Sequence, residues 1–298
     1  MVNFITLLFI FIIGLCLGSF YNVVILRSLS GESIVFPPSK CPKCGAKLKP
    51  IHNIPVISYI LLKGKCAFCG EKISLQYPIV ELVTGIIFCV LYMKFGWQPL
   101  TFFAMFWASC LIIMTGTDIK EKVVDCNYAI ALGVSGFIYM WTQHGFLTGI
   151  GYSFFGALLG YVAIELVAKV GELLKKGRAM GEGDSFLAMA FGAIVGWKFI
   201  LWVLLFSLLA SMLFVLPVFW YKRYKENDVA SLMFSAFFII TIALHIIYGT
   251  FLTVGLLALA GIMLAVYIIK TIHKTSNLSY LPYVPALAAG FMIFLYLY

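Results

Sequence analysis

The chain has 298 residues, of which 63% are hydrophobic and only 11% charged, and it carries a net charge of +9. About a quarter of the residues of soluble domains are charged, so a water-soluble globule is excluded: it has no means of hiding this much apolar surface. The positive balance reads as a signal of membrane topology and requires no nucleic acid partner.

Apolar runs of roughly 20 residues, long enough to cross about 30 Å of hydrocarbon as a helix, recur along the chain. In order they cover approximately 3–25, 78–95, 99–117, 126–142, 146–169, 184–196, 198–220, 229–248, 252–270 and 280–298. The first has no small-residue cleavage site and runs through Gly18, Ser19, Asn22 and Arg27 into a basic loop, so a retained helix is expected. The sixth, at 13 residues, spans only about 20 Å. Charge argues for keeping it separate from the seventh. With the amino terminus outside, the loops 27–77, 118–125, 169–184, 221–228 and 270–279 are cytoplasmic and hold 19 of the 21 Lys and Arg residues. Merging 184–220 into one helix would move the last two of those loops outside, against the positive-inside rule. The expected fold is an all-α polytopic membrane protein of about 8–10 transmembrane helices, embedded in membrane lipid.

The segment 27–77 breaks the pattern. It holds Pro37, Pro38, Pro42, Pro50 and Pro55, is too long for a hairpin and too short for an ordinary core, and so needs a staple. Cys41-Pro-Lys-Cys44 and Cys66-Ala-Phe-Cys69, 21 residues apart and each followed by Gly, supply one. Two such knuckles aim four thiolates at one tetrahedral ion, the pattern of structural zinc. Disulfides would need an oxidising compartment, and redox C-x-x-C motifs usually come singly; paired disulfides or free thiols are the competing readings. This divides the chain into a first helix (1–26), a zinc-binding cytoplasmic domain (27–77) and a membrane-embedded region (78–298). Cys16, Cys89, Cys110 and Cys126 lie in apolar stretches or at a helix start and are expected to pack in the core.

Of the twelve acidic residues, Asp118 ends an apolar helix and Asp184 begins one, in Met180-Gly181-Glu182-Gly183-Asp184. Both fall on the cytoplasmic face. Two carboxylates sharing a proton can activate water and protonate a leaving amine. Gly181 and Gly183 allow unusual dihedrals and the close approach of another chain. The plainer alternative makes Asp184 a helix cap and Asp118 an acid facing Lys120 or Lys122. Glu81 and Glu165, inside or at the edge of apolar helices, read as an N-terminal dipole partner and as a snorkelling or Lys169-paired acid respectively. His245 and His273 form no pattern.

Together these pieces resemble the type IV prepilin peptidases, bifunctional leader peptidases and N-methyltransferases of pilus and type II secretion systems. The resemblance rests on Gly18-Ser-Phe-Tyr-Asn22 with Arg27, the two cysteine knuckles flanking Asn53-Ile-Pro55, Tyr77-Pro-Ile-Val-Glu81-Leu, the G-x-G-D motif ending at Asp184, Asp118 66 residues upstream of it, and Leu281-Pro-Tyr-Val-Pro. It departs at His52, where an acidic residue is expected, and at Val124-Asp125-Cys126, which makes Asp125 the understudy for Asp118. Two apolar spans beyond the expected number precede the last helix. The resemblance implies Asp118 and Asp184 as catalytic residues, with Gly181 and Gly183 in support. It also implies prepilin or pseudopilin substrates cut at the cytoplasmic boundary of the inner membrane, and methylation of the freed amine from S-adenosylmethionine. The methyl-donor residues are not assignable from the sequence. Another intramembrane aspartyl protease, or a proton- or ion-coupled transporter, stands as the alternative; transporters usually show inverted repeats around a midplane site, and none is visible here.

Overall fold

The computed structural model describes residues 3–175, 181–211, 229–250 and 283–298, with residues 252, 253, 256, 259, 260 and 263 between the last two stretches. Met180, the basic loops 221–228 and 270–279 with His273, Leu281 and Pro282 lie outside the described residues, as do much of the expected span 252–270 and the side chain of His245.

The described chain is helical throughout its membrane region: α1 (Phe4–Ser30), α2 (Ile57–Leu61), α3 (Gln76–Phe95), α4 (Pro99–Glu121), α5 (Cys126–His144), α6 (Phe146–Lys175), α7 (Glu182–Val195), α8 (Ile200–Ser211), α9 (Val229–Tyr248) and α10 (Val284–Leu297). Within α1, α3, α4 and α6, the stretches Phe4–Ser30, Gln76–Phe95, Pro99–Glu121 and Phe146–Val170 are long and apolar enough to cross a bilayer. Their outer faces stay apolar: Phe154, Phe155, Leu158, Val162 and Leu166 of α6 are exposed. A continuous apolar exterior suits lipid and not water.

Hydrocarbon gives helices no hydrophobic reason to associate, so close packing depends on small residues that let backbones touch. Two crossings show it. Gly14 and Gly18 of α1 lie against Gly85 and Glu81 of α3, where an added Cβ would sit 2.6 and 2.7 Å from a Cα. Gly156 and Gly160 of α6 meet Gly192 and Ala188 of α7, where an added Cβ would sit 2.2 and 2.3 Å from a carbonyl oxygen. α4 runs through the centre, with Trp107, Leu111 and Met114 buried among α5, α7 and α10. The Trp107 indole donates to Ser135 Oγ at 3.0 Å, and Phe191 of α7 stacks on Phe291 of α10.

The split between the sixth and seventh expected spans is a true reversal. α7 ends at Val195, and Gly196 takes a left-handed φ of 75°, which a glycine accepts without cost. α7 and α10 run parallel, since Asp184 and Val284 lie at one end and Phe191 stacks on Phe291 further along. α8 runs antiparallel to α10, as Phe199 touches Phe294 and Tyr298 while Ser207 Oγ donates to the Leu287 carbonyl. The chain therefore reverses after the short α7, with α8 running back alongside α10, consistent with the charge argument.

Between α1 and α3 the chain forms two knuckles of one design. Gly45 N–H donates to Cys41 O, and Gly70 N–H to Cys66 O, both at 2.9 Å. Gly45 and Gly70 have φ of 71° and 73°, so the glycine after each cysteine pair is required by the turn. Lys40 pairs with Lys47 and Lys65 with Lys72 as isolated antiparallel bridges.

Candidate active site

Asp118 sits in the last turn of α4, and Asp184 is the third residue of α7. Both are buried, each 5% exposed, and the charge of Asp118 acts directly on Asp184. Two helix amino termini converge on the pair. Val284 N–H, at the start of α10, donates to Asp118 Oδ2 at 3.1 Å. Gly181 N–H, the N-cap of α7, donates to Asp184 Oδ2 at 3.1 Å. Helix amino termini favour negative charge, so both α7 and α10 stabilise an ionised carboxylate here. The charge of Asp184 acts on Tyr283, and that of Lys122 on Asp118. Burial, mutual repulsion and aligned donors make this a place where one proton can be shared between two carboxyls.

Several expectations change. Asp184 is not the N-cap of its helix, since Gly181 holds that position and Asp184 receives its N–H. Gly181 has an ordinary extended φ of −69° and Gly183 is helical, so neither is needed for an unusual dihedral. The close approach is real and internal: a Cβ on Gly183 would lie 2.5 Å from the Cβ of Val124, in the loop following Asp118. Gly183 thus lets the two aspartate-bearing segments meet. Asp125 caps α5, its carboxylate accepting from Asn127 N–H at 2.9 Å. Glu165 accepts a hydrogen bond from Ser185 Oγ at 3.2 Å, one residue past Asp184. Cys110 is buried as expected, but Cys16 and Cys126 are exposed. Tyr283 and Val284 reach the site from the Leu281-Pro-Tyr-Val-Pro stretch that carries the resemblance, though nothing in the sequence gave either a role there, and Pro285 marks a helix start.

An apolar groove of about 490 Å³ runs between α3, α4 and α10, walled by Ile79, Val83, Ala108, Ile112 and Ala288. It ends at Gln76 and Lys120, the latter two residues beyond Asp118. The same two residues border a second, larger cavity of about 850 Å³ between α1, the knuckles and α3.

Glu81 is the buried carboxylate of that cavity. It is the sixth residue of α3, one turn past the helix start: Val56 N–H donates to its Oε2 at 2.7 Å, and Ser19 of α1 hydrogen-bonds its side chain. Val56 has φ 60° and ψ −48°, a region that β-branched residues avoid, so the contact holds local strain. Asn22, wholly buried, donates to Tyr77 O at 3.1 Å and ties α1 to the start of α3.

The four cysteines of the knuckles bring their sulfurs within 4.8 Å of one another, with Cys41 and Cys69 Sγ 4.0 Å apart. A tetrahedral ion with bonds of about 2.3 Å would need sulfurs near 3.8 Å. Ionisation also asks for a cation. The backbone N–H groups of Cys44 and Lys43 hold the Cys41 thiol down to about 7. The Glu71 N–H favours the Cys69 thiolate, yet lost solvation and the three neighbouring thiols outweigh it and push that thiol up to about 12. Four thiolates at this spacing need a metal to exist together, so the cluster fits a tetrahedral metal ion.

A many-helix membrane protein with two facing carboxylates at the ends of its helices and a cysteine-stapled loop is the class that fold and site define. The chain belongs to the type IV leader peptidase family and is an enzyme of that family. The model described as "Type IV leader peptidase family" matches residues 105–216, and that described as "Bacterial Peptidase A24 N-terminal domain" matches residues 12–95. A relative from Xanthomonas campestris pv. campestris, named prepilin leader peptidase/N-methyltransferase, is 32% identical over 282 residues, 84% of this chain and 94% of its own. Relatives of the same name from Bacillus subtilis and Myxococcus xanthus are each 34% identical; the matches cover 69% and 67% of this chain, and 80% and 59% of theirs. No solved structure matches the chain.

Proposed function

We propose that this chain removes the basic leader of type IV prepilins or pseudopilins at the cytoplasmic boundary of the inner membrane, using Asp118 and Asp184, and then N-methylates the new terminal residue. The observation that carries the reading is the convergence of those two buried carboxylates under donors from α7 and α10. In the reaction, one carboxylate takes a proton from water as its oxygen bonds to the scissile carbonyl carbon. The other gives its proton to the amine as the C–N bond breaks. Val284 and Gly181 N–H groups orient the two carboxylates. The apolar groove of α3, α4 and α10 suits the precursor's apolar helix, with the scissile bond held near Lys120 and Asp118. The positive-inside count supports placing this end in the cytosol.

Cys41, Cys44, Cys66 and Cys69 would hold a structural zinc that keeps 27–77 folded, with 1–26 as the first helix and 78–298 as the peptidase region. The relatives' names include N-methyltransferase, and S-adenosylmethionine supplies the methyl group in such chemistry. The freed amine's lone pair forms the N–C bond as the S–C bond breaks, its electrons staying on sulfur and a proton leaving the nitrogen. Mass spectrometry of a prepilin co-expressed with this chain tests both halves: leader loss and a further methyl mass are expected. An intact precursor would contradict the proposal.

A further inference from the structure

The end of the bundle away from the aspartates carries a charge pattern of its own. α4 starts at that end and finishes at Asp118, while α7 starts beside Asp184 and finishes at that end with Val195. Among the described residues no Asp or Glu lies there, yet Lys94, at the close of α3, and Lys198, just past Gly196, both do. Each ammonium is held by aromatic rings from other elements. Lys198 Nζ lies 5.4 Å from the centre of the Tyr152 ring of α6, and Lys94 Nζ lies 5.0 Å from that of Tyr296 of α10. A ring at this distance attracts and orients an ammonium. It carries no net charge, so both lysines still lack a counter-ion from the protein.

The Lys198 cluster is the more complete of the two. Trp197 brings a second ring to 5.8 Å of Lys198 Nζ and stacks on Tyr152, and His144, the last residue of α5, places its ring 5.0 Å from that of Tyr152. An ammonium, an imidazole, a phenol and an indole thus meet at one spot where His144, Trp197 and Lys198 are all exposed. Among the described residues no protein group accepts from the Trp197 indole or the Tyr152 hydroxyl. Trp and Tyr gather at headgroup depth in membrane proteins, where the anion at hand is a phosphodiester. Directly beside the cluster, Phe155 and Leu158 of α6 are exposed and apolar. A free phosphate would use only the polar groups, whereas a phospholipid would use these side chains as well.

We propose that Lys198, His144, Tyr152 and Trp197 form a binding site for an anionic phospholipid in the leaflet farther from the aspartates. The phosphate sits at the Lys198 ammonium, and the acyl chains run along Phe155 and Leu158. Such a lipid ties α5 and α6 to the reversal at Gly196. Lys94 with Tyr296 is the simpler counterpart, with one cation and fewer donors.

Phosphatidylglycerol bearing a photoreactive headgroup, irradiated with the purified full chain in neutral detergent and followed by peptide mass spectrometry, tests the site. Label is expected on the peptides that carry His144, Tyr152 and Trp197. A lysine near anionic lipid contributes about fivefold in affinity, so Lys198→Gln should lower that label by about this factor, while Lys198→Arg keeps the charge and should label as wild type does. Unlabelled phosphatidylglycerol should compete, phosphatidylcholine should compete several-fold less, and inorganic phosphate should not compete. Label on these peptides that Lys198→Gln leaves unchanged would overturn the proposal, as would label confined to the basic segment 27–77. Equal competition by phosphatidylcholine would overturn the requirement for an anionic lipid. Displacement by inorganic phosphate would overturn the lipid as occupant and mark a free-anion site instead.

Discussion

Asp118 receives one of its hydrogen bonds from a main-chain N–H, at the first position of α10, where proline fits a helix without strain. Val284→Pro therefore deletes the donor at a position that tolerates proline, although Tyr283 must then leave its helical backbone (φ −98°, ψ −24°). A hydrogen bond to a charged group is worth roughly 1.5–3 kcal/mol, so cleavage of a prepilin should slow by about 10- to 100-fold. Unchanged turnover in an initial-rate assay would remove α10 from the site. Of the residues in this constellation, Asp118 and Asp184 were legible in the sequence because a carboxylate at the end of an apolar run is expensive and so conspicuous. Val284 was not, since a main-chain donor leaves no mark on residue type. Nor was the role of Glu81: its position on an apolar helix was plain, but its partner Val56 lies 25 residues earlier and is fixed only by the fold of the knuckles.

At the level of elements, the two glycines of the G-x-G-D motif behave differently. Gly183 lets α7 touch Val124, and a Cβ there would force the loop after Asp118 to move; Gly181 already has a backbone that any residue adopts. Gly183→Ala should abolish most cleavage with the protein still inserted in the membrane, whereas Gly181→Ala should lose no more than a few-fold, both read by precursor conversion. The reverse order would show that the motif is tuned for backbone freedom and not for contact. The α6–α7 crossing carries a separate prediction. Gly156→Leu drives a side chain into the Gly192 carbonyl, and overpacking of this kind costs typically about 1–3 kcal/mol, so the variant should melt at lower temperature in detergent. Helix existence and the reversal at Gly196 were readable from apolar periodicity and from charge. Which helices pair was not, because in lipid the pairing is decided by small residues scattered over many faces.

On the scale of the molecule, Lys120 lies two residues beyond Asp118 and also lines the cavity under the cysteine knuckles. Structural metal supplies folding energy to the small unit it staples, so replacing Cys41 and Cys44 with Ser should release about one zinc per chain, measured by elemental analysis. Methylation should then fall more than cleavage; equal loss of both would mean that the knuckles also support the aspartate site. The knuckles were legible from spacing alone, whereas the meeting of Asp118 and Asp184 was expected only through the family resemblance, as 66 residues and two helices separate them. That meeting is the central claim. It is tested most directly by co-expressing a prepilin with Asp118→Asn, Asp184→Asn or Asp125→Asn and weighing the pilin by mass spectrometry. The account predicts intact precursor with either of the first two and a processed pilin with the third, whose carboxylate only caps α5; processing by Asp118→Asn together with failure of Asp125→Asn would contradict it.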